Sequence, residues 1–141
     1  MVIKPRNFRI LGVHPVEPTD DLFEETLEMQ WGPDLSGAEL EEARRAVHEH
    51  FAGLYLFEVE IDPPGADLDW RQVAQPAESL PPSSWQVPYN EQVIDRAKGR
   101  WVFFMHFVDL RQPLRTPLGA VSLPPPSARP PHLAAIEYEA P

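Results

Sequence analysis

The longest apolar run in the chain is Trp101 to Leu110, WVFFMHFVDL. It is too short to cross a bilayer as a helix, which takes roughly 20 residues. Valine, phenylalanine and tryptophan favour strands, and alternate side chains of a strand point to opposite faces. One face then carries Trp101, Phe103, Met105, Phe107 and Asp109, and the other carries Val102, Phe104, His106, Val108 and Leu110. Both faces are apolar, which predicts a central strand at about 101–110 covered on two sides. Lys98-Gly99 before it and Gln112-Pro113 after it set its limits, because proline has no N–H to give to a ladder.

From the start of the chain, Phe8 to Val13 reads as a first strand, broken by His14-Pro15 and Glu17-Pro18. Thr19 to Trp31 fits two periods. As a helix it puts Leu22, Phe23, Leu27 and Trp31 on one stripe, with Thr19, Asp20 or Asp21 to cap it. As a strand it puts Phe23, Leu27, Met29 and Trp31 on one face, with only Glu25 breaking the alternation. Its length and its Glu/Leu/Met content favour the helix. Ser36-Gly37-Ala38-Glu39 has capping-box spacing, and Leu40, Ala43, Val47, His50, Phe51 and Leu54 recur at helical spacing up to Gly53. Residues 37–52 are therefore predicted to form an amphipathic helix. Leu54 to Asp62 follows as a strand with Phe57, Val59 and Ile61 on one face and Glu58, Glu60 and Asp62 on a wet one.

Six prolines fall in residues 63–88, with room for a short element around Asp67 to Ala74, and seven fall in 113–131. Trp70, Trp85, Leu114, Leu118 and Val121 lie within these stretches, which predicts ordered loops laid over the sheet. Pro124-Pro125-Pro126 has polyproline II character. Leu133 to Glu139, LAAIEYE, reads as a closing strand. The elements are clustered, not alternating. The expectation is a single α+β domain over 1–141, with a mainly antiparallel sheet, one or two helices and long proline-rich ordered loops.

Charge sharpens this picture. The net charge is −10, and residues 17–70 hold 16 acids against Arg44 and Arg45 alone. Direct nucleic-acid binding needs a basic surface and is disfavoured, whereas a basic protein partner would be attracted. On the helix 37–52, Glu39, Glu41, Glu42 and Glu49 are the candidate contact residues. The competing reading is a solubilising face. There is no cysteine, hence no disulfide and no thiolate chemistry. No secretory signal and no membrane span is legible, so a cytoplasmic protein without membrane contact is expected.

Catalytic motifs are missing: no GxSxG elbow, phosphate loop, HExxH or GxGxxG occurs, and Ser83-Ser84 has no evident base. His48 and His50 point about 200° apart on a helix and cannot share a metal. Both fall in the last turn, where the helix dipole favours imidazolium. His106 lies among apolar neighbours and needs partners, either as a core histidine or as a residue lining a cavity with Arg100 and Trp101. His14 and His132 flank proline-rich turns and carry no further signal.

Two functions follow as expectations. One is a small acidic, non-catalytic binding protein (an inhibitor, immunity-type or accessory protein) acting by protein contact. The other is a small enzyme or ligand-binding domain with a pocket beside the central strand near His106. No cofactor or metal is expected for either, and a self-associating structural protein is a third option.

Overall fold

In the computed structural model, which describes residues 2–75, 86–107 and 109–138, the apolar run forms an inner strand of the sheet. Trp85, Ser83, Ser84, Val108 and Glu139 lie outside the described residues. Strands β1 (Asn7–Pro15), β2 (Leu54–Asp62), β3 (Tyr89–Asp95) and β4 (Arg100–His106) make one antiparallel sheet in the order β1-β2-β4-β3. Helices α1 (Asp20–Trp31) and α2 (Gly37–Ala52) connect β1 to β2, and a small hairpin pairs β5 (Leu114–Thr116) with β6 (Gly119–Val121). This is the expected α+β architecture.

The two sheet faces are covered by different material. Leu54, Leu56, Val102 and Phe104 face Leu27, Ala43, Val47 and Phe51 of the helices. On the other face Phe57, Val59, Phe103 and Met105 lie under Trp70, Leu114, Val121 and Leu123, which belong to the proline-rich segments and the hairpin. Phe57 and Phe103 stack there with their centroids 5.1 Å apart. Each large side chain fully buried in this way stabilises by about 1.5–3 kcal/mol.

Residues 20–31 resolve as helix. Thr19 Oγ1 accepts the Leu22 N–H at 3.2 Å, and Asp20 and Asp21 occupy the first turn. Its buried stripe runs through Leu22, Phe23, Thr26 and Leu27, so Trp31 falls off the edge and stays 41% exposed. Helix α2 has the expected span, but the Ser36 side chain makes no capping bond, so the capping box does not form.

Four expectations change. The central strand ends at His106, not at Leu110, because its neighbour β2 begins at Leu54. The Phe107 N–H reaches Gly53 O at 2.9 Å, and Asp109 then turns the chain by accepting the Arg111 N–H. Leu110 consequently packs with Met105, not with Val102. The first strand runs on through His14-Pro15; β1 is an edge strand, where a proline removes no needed ladder bond. The wet face of β2 is not wet at Glu58, which is 5% exposed. Finally, residues 133–138 form no strand: Pro131–Leu133 is a 3-10 turn, with i→i+3 bonds from Leu133, Ala134 and Ile136 that coil the segment. Leu133 is nonetheless fully buried against the helix-side core. Strand β3 and the β5–β6 hairpin were not legible in the pattern.

Candidate functional site

Helix α2 and strand β4 end side by side, and their last polar residues meet. His106 Nε2–H donates to the His50 carbonyl at 3.2 Å; a carbonyl only accepts, so the proton sits on Nε2. The two imidazole rings are 4.5 Å apart, and His50 Nε2 lies 3.2 Å from the Tyr138 hydroxyl. Phe51 and Phe104 meet the Tyr138 ring edge-on, and Tyr89 closes the cluster. Burial first, then His106 nearby, pulls the His50 pKa below its ordinary value. Burial likewise lowers His106, against an opposing pull from the His50 carbonyl. Burial thus outweighs the preference for imidazolium that the position of His50 in the last turn of the helix had suggested. Burial and then the neighbouring Tyr138 hydroxyl push Tyr89 far above the ordinary phenol range. That neighbour acts on Tyr89 without hydrogen-bond geometry, and the buried Tyr89 hydroxyl has no bonding partner. At neutral pH the cluster is an uncharged aromatic joint that pins residues 131–138 to α2.

A second polar group lies beneath the same segment. A bulge between Ile10 and Gly12 turns Gly12 and His14 to the face that carries Glu58 and Leu56. His14 is 3% exposed, and its Nδ1–H donates to Ser127 O at 2.9 Å. Nε2 is buried without a partner over Gly12. Directly opposite Gly12, Glu58 accepts from His132 Nε2 at 2.8 Å, although the His132 side chain is largely exposed. An imidazole and a buried carboxylate are the parts of an acid–base pair. Here Nε2 is closed to solvent, and a general base must reach a substrate proton. The pattern of the sequence missed this group because its members come from three distant segments.

The predicted site residues separate into two sets. Glu39, Glu41, Glu42 and Glu49 are all exposed on α2, with Arg45 one helical turn from both Glu41 and Glu49. Arg100, Trp101 and His106 are not brought together. Arg100 and His106 mark opposite ends of β4, about 20 Å apart at the usual strand rise. Arg100 shares Glu60 with Arg9, at 3.3 and 2.8 Å. Trp101 is on the other face, packed 5.4 Å from Trp70.

Sequence reading passed over α1 as a surface. Asp20, Asp21, Glu24, Glu25 and Glu28 are exposed on it and it contains no base. Met29, 77% exposed, and Trp31 flank this acidic face. Arg44 of α2 reaches Glu24 at 2.8 Å and lies over the Phe23 ring. Among the described residues no group of His, Asp or Glu is arranged to hold a metal ion, and no helix is long and apolar enough to cross a membrane. No protein-family model, curated protein or solved structure matches the chain.

Proposed function

We propose that the protein is a non-catalytic binding protein that engages a basic protein partner through the outer surface of its two helices. The observation that carries this reading is α1: five exposed acids and no base, flanked by an exposed methionine and an exposed tryptophan. Methionine and tryptophan are enriched in protein interfaces, and acids around them select a basic partner. The α2 acids Glu39, Glu41, Glu42 and Glu49 extend the field, diluted by Arg45, while Arg44 offsets Glu24 of α1. Among the described residues Arg100 and Trp101 lie far from His106, and the rings of His50 and Tyr89 stand against it.

Surface fields act mainly on encounter, over a Debye length of about 8 Å at physiological salt. Two variants test the reading: Glu24→Gln with Glu28→Gln on α1, and Glu39→Gln with Glu41→Gln and Glu42→Gln on α2. Both should keep the parent's thermal midpoint, because exposed charges contribute little to stability. Partner captured from native lysate at low salt should bind the α1 variant several-fold more slowly, about 3- to 10-fold for charge changes of this kind, with a smaller loss for the α2 variant. Equal association rates and equal salt response in the parent and both variants would sink the reading.

A further inference from the structure

The connector from β1 to α1 separates two depressions of opposite character. On one side Val16, Pro18, Phe23, Phe51 and Ala52 line a dimple of ≈ 210 Å³ whose walls are almost wholly apolar. On the other, Glu17, Asp21, Glu25 and Glu137 line a groove of ≈ 410 Å³. Val16 and Glu17 belong to both, so the two are contiguous. Arg129 is the one base in the groove, and it is half-buried with its guanidinium donating to the Ile136 carbonyl. With four acids to this one base, the groove is acidic overall.

We infer that the apolar dimple receives a bulky apolar side chain from a basic segment of the protein partner, whose lysines or arginines lie along the neighbouring acidic groove. The inference rests on the binding role proposed above and names where its anchor sits. Charge complementarity selects the occupant. An apolar anchor alone would fit many partners, but one flanked by acidic chains would be repelled by Glu17, Asp21, Glu25 and Glu137. The dimple also has the form of an energetic centre: a small apolar depression with a charged rim that excludes water once filled. The α1 face carrying Glu24, Glu28 and Met29 then steers the approach, and the dimple slows departure.

Two fluorescently labelled synthetic peptides test this by anisotropy at low salt: a lysine-rich peptide with one central phenylalanine, and the same peptide with alanine there. The phenylalanine peptide should bind the parent about tenfold or more tightly than its alanine counterpart, the gain expected for burying one such side chain. Ala52→Leu fills the dimple from an exposed position and should abolish that preference. His48→Trp narrows it from one helical turn away on α2 and serves as the second variant should Ala52→Leu lower the thermal midpoint. Glu17→Gln with Glu25→Gln should weaken both peptides alike. In amide NMR spectra of the parent, the signals of Val16, Phe23 and Phe51 should move only with the phenylalanine peptide. A preference that survives filling of the dimple, or equal binding of the two peptides, overturns the anchor while leaving the charge-driven reading in place. Failure of both peptides to bind the parent overturns the anchor and the binding role together.

Discussion

Gly12 and His14 stand two residues apart on β1, and the first is there to make room for the second. A Cβ on Gly12 would come within 2.6 Å of His14 Nε2 and 2.8 Å of Cε1. The imidazole cannot swing aside freely, because it is buried and tied through Nδ1 to Ser127, whose own N–H holds Val13 O. Gly12→Ala should therefore destabilise by about 1–3 kcal/mol, the usual cost of overpacking. The penalty should vanish when His14 is also alanine. Denaturant unfolding of the two single variants and the double variant measures that coupling; additive effects would mean the two residues do not meet. None of this was legible in FRILGVHP, because the bulge shifts the strand's alternation after Ile10 and the partner Ser127 lies 113 positions away. A local pattern recurs. In Asp69-Trp70-Arg71 and Asp109-Leu110-Arg111 the aspartate accepts both the backbone N–H and the side chain of the arginine two residues on. Both carboxyls are held below the ordinary aspartate range by that arginine. Each turn folds its middle residue, Trp70 or Leu110, onto the loop-side core.

Elements were legible where one period dominates. Helix α2 keeps its predicted limits because its apolar stripe ends at a glycine. Strand β2 was misjudged on one face because alternating acids look wet unless something covers them, and the cover, His132, comes from a segment with no readable period. Where α2 and β4 end together, the two neutral histidines give a pH dependence with a definite sign. Both have folded-state values below 6.5, their ordinary value, so below that pH the unfolded chain binds more protons than the folded one. The stability contributed by the neutral pair is complete well above pH 6.5 and drains away as the pH falls below that value. Around this pair stand the Tyr138 and Tyr89 rings and the His50 carbonyl. His132, on its Glu58 carboxylate, belongs to the same packed segment and has to be kept intact in the comparison. His106→Gln retains a donor for the His50 carbonyl and removes one titration, so its thermal midpoint should fall less steeply than the parent's over that range. Parallel curves would remove the histidine pair as the cause.

At the scale of the whole molecule, the apolar run at 101–110 was a sound guide because a strand apolar on both sides has to be inside a sheet with two covers. What the covers would be was only half readable: the helices announce themselves by period, whereas the second cover is made of chain with almost none. That second cover has a thermodynamic character of its own. Seven prolines fall between residues 113 and 131, where Leu114, Val121 and Leu123 close over Phe57 and Phe103. Proline ring closure fixes φ before folding begins, so these residues have less freedom to surrender than ordinary loop residues, a difference of about 0.4–1 kcal/mol per compatible site. Replacing Pro124, Pro125 and Pro126 with alanine should then lower the unfolding free energy by about 1–3 kcal/mol with the native spectrum unchanged, and an unchanged unfolding midpoint would contradict it. A protein of this size that closes one half of its core with proline-rich chain does so at the expense of the unfolded ensemble, by restricting the disorder that the native state has to compete against.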